Sequence, residues 1–247
     1  MSRYFAFVWY AFNAKTGRFR NFMDYQRNWL EENGSDDSHG RTLWALGTVL
    51  GHSNTPAMQN MAGWVFEKSL PAVLDTTSPR AWAFALIGIN EYLQRFAGDR
   101  TITQVREELA GRLLDLYRKC RTGAWYWFEE SLTYCNAALP HALLMCGHGI
   151  PNSDMTEAGL ESLRWLADLQ RADEAGGHFV PIGSNGFYQR GGVRARFDQQ
   201  PVEAQAMVSA CLEAHRITAD KSWYKEPRRA SDWFLGRNDL DLPIYDP

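Results

Sequence analysis

Eight helical segments alternate in character along the chain, and this alternation restricts the fold more than any other sequence feature. Segments that start near residues 39, 79, 128 and 201 are apolar on most faces, whereas those that start near 55, 102, 155 and 222 carry a polar face. A helix that is apolar all round is buried, and a helix with one polar face lies against solvent. Four inner helices alternating with four outer helices therefore predict four helical hairpins.

Capping signals and prolines place the boundaries of these helices. We expect helices over 39–51, 55–74, 80–93, 102–119, 128–147, 155–171, 201–217 and 222–236. Pro56 and Pro201 stand at first-turn positions, where proline is favoured. Pro140 predicts a kink within 128–147, and Pro227 interrupts the last helix. Inner and outer helices in alternation are typical of a mostly α fold of the α/α toroid type, which places the mouth of its funnel just before the inner helices.

Two segments lack a helical pattern and predict β structure. Residues 5–25 are rich in aromatic side chains on both sides of a turn cluster, Asn13 to Gly17, which favours a β-hairpin or an extended loop over a helix. The longest connection, 173–200, contains the tight-turn pair Asn185-Gly186. We expect a second β-hairpin there, inserted over one end of the helical ring.

Composition narrows the class of protein. The 247 residues carry 26 Lys and Arg against 29 Asp and Glu, a net charge of −3, which argues against nucleic-acid binding. We interpret 1–247 as one domain.

None of the four cysteines lies in a CxxC pair and no histidine pair has zinc spacing, so we expect reduced thiols, no metal and no cofactor. The apolar run 4–12 is too short to span a bilayer, and a cytoplasmic protein without a membrane partner is expected.

The first polar cluster precedes the first inner helix. Asp37 or Ser38 fits the N-cap of that helix, whose dipole favours acids in its first turn. The alternative is that Asp36 or Asp37 lies at the mouth of the funnel. His39 and Arg41 either bind sugar hydroxyls or form a half-buried hydrogen-bonded pair. A related pair stands at the start of another inner helix, where Arg80 accompanies Trp82. Each of these two residues fits packing as well as ligand binding.

The second cluster combines aromatic and acidic residues. Trp125 and Trp127 precede Glu129, and aromatic faces stack on the apolar faces of sugar rings while nearby acids transfer protons. Within a helix over 128–147, Glu129 and Asn136 share one face with Thr133. A sugar site with partly exposed tryptophans and a buried core with a cap fit this cluster equally well.

The third cluster ends the long connection. Asp198 lies outside the expected helix, so capping does not explain it, and Gln199 and Gln200 supply the donors and acceptors that hydroxyl-rich ligands need. Glu203 occupies the third helical position, where an acid reaches back to cap the helix.

Together these clusters predict glycoside hydrolysis by paired carboxylates. Asp37, Glu129 and Asp198 are the expected catalytic acids, and we expect them to face one cavity. The substrate-binding candidates are His39, Arg41, Arg80, Trp125, Trp127, Asn136, Gln199 and Gln200. Sequence spacing does not decide between inverting and retaining chemistry. Two other functions stay open, a non-catalytic sugar-binding or scaffold module and an epimerase or isomerase, which would need histidines such as His141 and His178 at the funnel.

A resemblance rests on five stretches that are spread along the whole chain, 16–47, 78–88, 125–144, 178–214 and 233–247. In them the chain resembles a bacterial family of six-hairpin, α/α toroid, glycosidase-like proteins. Genes of that family lie beside glycosyltransferases and mannoside phosphorylases, or are fused to them. The resemblance implies a protein that acts on oligosaccharides, including mannosides, and that associates with a glycosyltransferase.

Two departures from that family bear on activity. The relatives carry Asp where this chain has Cys135, which would impair this copy if that acid is catalytic in them. The relatives are also longer at both ends, which implies that this chain lacks the first and last hairpins and holds about four of six. The resulting expectation is an open ring, weak or absent activity and self-association through uncovered apolar helix flanks.

Overall fold

The computed structural model describes residues 2–172 and 177–244. Its contacts divide the chain into two compact units, Met1–Arg112 and Leu113–Pro247, hereafter unit 1 and unit 2. Both units are built mainly of helices, as the alternating pattern predicted. The prediction of one toroid domain that lacks its first and last hairpins stays a prediction.

Unit 1 starts with a helix that the sequence analysis did not expect. Its elements are α1 (Ser2–Ala11), β1 (Phe12–Asn13), β2 (Arg18–Phe19), α2 (Asp36–His52), α3 (Pro56–Ser69), a 3-10 helix (Leu70–Asp75), α4 (Pro79–Arg95) and α5 (Arg100–Cys120), which crosses into unit 2. Within 5–25, the predicted hairpin is confirmed only around the turn, where β1 pairs with β2. The prediction against a helix was wrong for 5–11, because this run contains no turn-forming residue and buries Phe5 and Ala11.

Close contact between α2 and α4 forms the centre of unit 1. A Cβ atom on Gly40 would lie 2.6 Å from the carbonyl oxygen of Ala81, and one on Gly88 would lie 2.5 Å from that of Leu43. The backbones approach this closely because glycines face each other across the interface. Most of α4 is buried, as expected for an inner helix, and α3 packs on α2 with exposed side chains on its other side.

Unit 2 repeats the arrangement of inner and outer helices. Its further elements are β3 (Ser131–Leu132), α6 (Ala138–Gly149), α7 (Ser153–Leu169), β4 (Tyr188–Gln189), α8 (Pro201–Thr218), a 3-10 helix (Lys221–Tyr224) and α9 (Lys225–Phe234). The inner helices α6 and α8 pack on each other, and each packs on the outer helix that follows it, α7 or α9. These contacts confirm the predicted hairpins in this part of the chain.

The predicted helix over 128–147 begins ten residues later than expected. Cys135 has a φ of 50°, in the left-handed region that ends regular structure, and Asn136 Oδ1 accepts a hydrogen bond from the Thr133 amide at 3.0 Å. Pro140 consequently lies in the first turn of α6, where proline removes no helical hydrogen bond, and the expected kink is absent. Pro227 lies in the first turn of α9 for the same reason.

Over its described part, 177–200, the long connection does not form the predicted hairpin. Its strand β4 pairs antiparallel with β3, more than fifty residues earlier in the chain, through Ser131 with Gln189 and Leu132 with Tyr188. The tight turn at Asn185-Gly186 is present, and Gly186 has a φ of 116°. Part of the predicted segment, 173–176, lies outside the described residues. Over the residues that are described, no helix is long and apolar enough to cross a bilayer.

Candidate functional site

The first polar cluster lies in unit 1 at the start of α2. Ser35 caps this helix, and its side chain accepts a hydrogen bond from the Ser38 amide at 3.1 Å. The prediction that Asp37 or Ser38 is the cap was wrong, because both belong to the first helical turn. Asp37 pairs with Arg41 at 2.7 Å, one turn further on, and the Arg41 guanidinium lies 4.2 Å from the centroid of the Phe84 ring.

Asp36 connects α2 to two other segments of unit 1. Its carboxylate accepts hydrogen bonds from Arg18 at 2.8 Å and from the Thr77 amide at 3.1 Å. Partial burial opposes its ionisation, but these donors outweigh it and hold the pKa of Asp36 below its ordinary value. Asp36 therefore has a structural role, as the partner of Arg18 in an ion pair, next to the candidate catalytic residue Asp37.

Two of the predicted sugar-binding residues of unit 1 lie in its core. His39 is fully buried, with its ring 5.5 Å from the Phe19 ring, and burial together with the charge of Arg18 lowers its pKa to about 4. Arg80 is 4% exposed. A side chain that solvent does not reach is not open to a sugar, so the structure does not support these two assignments. Arg41 keeps part of its surface exposed.

The aromatic cluster of unit 2 is a core and not a binding surface. Trp125 is 4% exposed and Trp127 is fully buried, so the prediction that both are partly exposed was wrong. Trp125 stands edge-on to Trp165 with 5.1 Å between the ring centroids, and its Nε1 donates to the Glu129 carbonyl at 2.8 Å. The aromatic rings thus fix the backbone of Glu129, whose own side chain is half-buried.

Asn136 belongs to a buried polar cluster with Glu203 and Gln170. The Glu203 carboxylate accepts hydrogen bonds from the Asn136 amide at 3.0 Å, from Asn136 Nδ2 at 2.9 Å and from Gln170 Nε2 at 2.8 Å. Glu203 thus joins α8 to the turn before α6. Because residues 128–137 are not helical, Asn136 does not share a helix face with Glu129, and its predicted ligand contact is replaced by these internal bonds.

The third cluster lines a cleft of about 550 Å³ in unit 2, which we call the Asp198 cleft. Its lining includes Arg196, Phe197, Asp198, Gln199, Trp233 and Asp239. They come from the end of the long connection, from α9 and from the segment after α9. Phe197 is 77% exposed and so presents an aromatic face to solvent, while Trp233 closes the inner side of the cleft.

Asp198 has a left-handed backbone with a φ of 59°, which is uncommon for a residue other than glycine and most accessible to Asn and Asp. The Ser184 amide and hydroxyl both donate to its backbone carbonyl at 3.1 Å. The side chain is exposed, and among the described residues it makes no hydrogen bond or ion pair. The backbone is therefore held while the carboxylate stays open to solvent.

Asp239 is the most strongly bound acid of this cleft. His178 Nε2 lies 2.8 Å from its Oδ1, Arg196 donates to the same oxygen at 3.2 Å, and Gln199 Nε2 donates to Oδ2 at 3.0 Å. Partial burial opposes ionisation of Asp239, but these three donors outweigh it and keep its pKa below the ordinary value. Asp239 is thus a fixed negative charge at neutral pH.

The two glutamines of the cluster have different surroundings. Gln199 also accepts a hydrogen bond from Trp233 Nε1 at 3.0 Å, so both ends of its amide group are used within the cleft. Gln200 is exposed and occupies the cap position of α8 without a side-chain capping bond. Gln199 therefore orients Asp239 and Trp233. The side-chain amide of Gln200 makes no capping hydrogen bond to α8.

The sequence analysis missed Asp239 and Trp233 as members of this cleft. Asn238 holds the segment after α9, because its Nδ2 donates to the carbonyls of Trp233 at 2.9 Å and Leu242 at 2.7 Å. In the sequence, only the Asn and Asp residues after Gly236 indicate a turn there. They do not predict that Asp239 contacts Gln199. Within 2–172 and 177–244, no group of three His, Cys, Asp or Glu side chains is placed to hold a metal ion.

Comparison with known proteins supports the fold class. No family model matches the chain, and no curated protein matches it by sequence. The structure is similar to the crystal structure of an unsaturated glucuronyl hydrolase specific for heparin, with a TM-score of 0.65 and 12% sequence identity. The match covers 94% of this chain and 65% of the hydrolase, so the chain spans less than two thirds of that protein. The predicted fold class, a mostly α protein of the α/α toroid type, is confirmed.

Proposed function

We propose that this chain is a glycosidase-like protein that binds an oligosaccharide in the Asp198 cleft. The observation that carries the proposal is the combination of an open carboxylate, Asp198, with an exposed aromatic ring, Phe197, and a fixed anion, Asp239, in one cleft. Carbohydrate sites need an aromatic face for the sugar ring and convergent polar groups for its hydroxyls. The α/α toroid fold of a known glycoside hydrolase adds support at the level of fold.

Each side chain has a role in this proposal. Asp198 transfers the proton, as the acid on the leaving oxygen or as the base on water. Asp239, which His178 and Arg196 keep ionised, stabilises the positive charge that develops on the sugar ring in the transition state. Phe197 stacks on the sugar, and Gln199 keeps Asp239 in place. Asp37 and Glu129 stay predicted as the second catalytic carboxylate, and mannosides are the first substrates to test.

A specific observation favours the non-catalytic alternative. Both oxygens of Asp239 already accept hydrogen bonds, so Asp239 is poorly placed to act as a second acid or base. Hydrolysis by paired carboxylates needs two such groups. A sugar-binding module, which needs the aromatic face and the hydrogen bonds alone, would use the same cleft without chemistry. Its partner would then be the glycosyltransferase that the family resemblance implies.

Asp198→Asn tests the catalytic role without disturbing the backbone, because Asn also tolerates the left-handed conformation. We expect release of reducing sugar from manno- and gluco-oligosaccharides to fall ~100-fold or more, which is typical of the loss of a general acid or base. Asp115→Asn, an exposed acid on α5, is the matched control and should retain the activity. Equal rates in the two variants would remove Asp198 from the mechanism.

A binding assay separates the two functions. Phe197→Ala should weaken oligosaccharide binding, followed by tryptophan fluorescence, by about tenfold, equivalent to about 1.4 kcal/mol. Phe22→Ala, another exposed phenylalanine in unit 1, should leave the affinity unchanged. Binding that depends on Phe197 without release of sugar by the unmodified chain would establish the binding module. The absence of both binding and release would contradict both functions.

A further inference from the structure

Unit 2 contains a second cleft, of about 650 Å³, whose lining is dominated by positive charge. Its cations are Arg171, Lys225, Arg228, Arg229 and Arg237. We call it the basic cleft. Lys225, Arg228 and Arg229 follow the helical spacing i, i+3 and i+4, so they share one face of α9. Ala230 and Trp233 are buried on another face of that helix.

Carboxylates neutralise only part of this charge. Glu226 pairs with both Arg171, at 3.2 Å, and Arg229, and Asp232 lies 3.6 Å from Arg237. Asp168 also pairs with Arg171, at 3.0 Å. Asp241 is the third carboxylate among the described lining residues, which carry five cations and three acids.

Two cations of the basic cleft stay open to a ligand. Among the described residues, Lys225 and Arg228 have no ion-pair partner, and both side chains are exposed. Two exposed cations without an ion-pair partner at one cleft match a doubly charged anion. Arginine forks and a lysine ammonium are the groups that proteins use for phosphate.

The arginines deeper in the cleft also carry unused donors. Among the described residues, the Nε atoms of Arg171 and Arg229 are buried and have no hydrogen-bond partner. Burial, followed by the positive charge of Arg171, lowers the pKa of Arg229 to about 10. Two guanidinium groups that share one carboxylate repel each other, and an anion in the cleft would relieve that repulsion.

We propose that the basic cleft binds a phosphate group. The group arrives either as inorganic phosphate or as the phosphate of a sugar. Lys225 and Arg228 contact it from α9, and Arg171 and Arg229 supply the deeper positive charge. His178 borders this cleft and its Nε2 also lies 2.8 Å from Asp239 Oδ1, so this residue stands between the two clefts. Phosphate binding itself does not depend on the proposed glycosidase function.

Calorimetric titration of the full chain with inorganic phosphate at about 0.15 M ionic strength, where exposed charges are well screened, tests the site. We expect one phosphate per chain and a loss of affinity of about tenfold or more in Lys225→Gln/Arg228→Gln. The matched control is Arg100→Gln/Lys119→Gln, which removes the same charge from exposed positions on α5. No binding by the unmodified chain, or equal affinities in the two double variants, would overturn the proposal.

Two further titrations identify the source of the phosphate. Glucose 6-phosphate that binds about tenfold more tightly than inorganic phosphate would assign a sugar phosphate to the basic cleft, and equal affinities would assign the free ion. Glucose itself should not compete at this cleft. Phosphate binding that persists in Asp198→Asn and Phe197→Ala separates this result from the outcome for the Asp198 cleft.

Discussion

His178 Nε2 lies 2.8 Å from Asp239 Oδ1, although the two residues are 61 positions apart in the sequence. His178 also lines the basic cleft, and Asp239 lines the Asp198 cleft. The hydrogen bond between them therefore couples the two clefts of unit 2. Since Arg196 and Gln199 donate to the same carboxylate, the position of the segment after α9 depends on the charge of Asp239.

Asp239→Asn should destabilise unit 2 at neutral pH. The carboxylate is about one-fifth exposed, and hydrogen bonds to a charged group contribute roughly 1.5–3 kcal/mol, so a loss of about 1–2 kcal/mol in the free energy of unfolding is expected. A group whose pKa is lowered by folding stabilises the folded state above its unfolded pKa, near 3.8, and loses this effect as pH falls through the folded value. The difference in the free energy of unfolding between the unmodified chain and Asp239→Asn should therefore be constant above about pH 5 and shrink below pH 3.8.

Urea unfolding followed by circular dichroism measures this difference at several pH values. Asp115→Asn, at an acid that is 77% exposed, serves as the control and should change stability little. If Asp239→Asn were as stable as this control at pH 7, the hydrogen bonds at Asp239 would contribute nothing to the folded state.

Gly88→Ala should strongly destabilise unit 1. The added Cβ atom would lie 2.5 Å from the Leu43 carbonyl oxygen and 2.6 Å from Trp44 Cα, both backbone atoms that cannot move without separating α2 from α4. Overpacking of this kind costs roughly 1–3 kcal/mol or more. Gly111→Ala on α5 is the matched control, because no atom lies within 4 Å of its added Cβ. The control should gain about 0.5–1 kcal/mol, since alanine favours a helix over glycine.

Both variants are compared by their midpoints of thermal or urea unfolding. Opposite shifts, downward for Gly88→Ala and upward for Gly111→Ala, are expected. A Gly88→Ala chain with an unchanged midpoint would mean that α2 and α4 are further apart than the structure has them.

The sequence predicted the helices well because their signals are local. Pro56 and Pro201 stand in the first turns of α3 and α8, where the sequence predicted first-turn prolines. The helix prediction was wrong for 128–137. This apolar run is compatible with a helix, and only its tertiary contacts hold it in another conformation. The bond of Asn136 to Glu203, 67 residues away, and the pairing of β3 with β4 hold that segment in its extended form.

The same distinction holds for the candidate sites. Asp198 and Gln199 were predicted because polar residues before an inner helix are a local pattern, whereas Asp239 reaches the cleft through a turn that no local pattern specifies. Trp125 and Trp127 show the opposite error. Aromatic residues next to acids fit a sugar platform and a core equally well in sequence, and the contact with Trp165 decides for the core.

His39 should make the stability of unit 1 depend on pH between about 6.5 and 4. Its ring is fully buried beside Phe19, and burial, with a further contribution from Arg18, lowers its pKa from 6.5 to about 4. In this pH range the unfolded chain binds a proton that the folded chain excludes, so stability rises with pH. The stability that comes from keeping His39 neutral is fully present above pH 6.5 and is lost as pH falls toward 4. At 1.36 kcal/mol per pH unit, this loss is limited to about 3 kcal/mol.

His39→Leu removes the titrating group and keeps an apolar side chain in the same core. The free energy of unfolding of the unmodified chain should fall between pH 7 and pH 5, and the fall should be smaller by about 1–2 kcal/mol in the variant. His141, whose pKa is also lowered to about 4, adds a similar dependence that the variant retains. His52→Gln, at an exposed histidine that pairs with Glu91 at 2.5 Å, is the control. Equal pH dependence in the unmodified chain and His39→Leu would show that His39 is solvated in the folded protein.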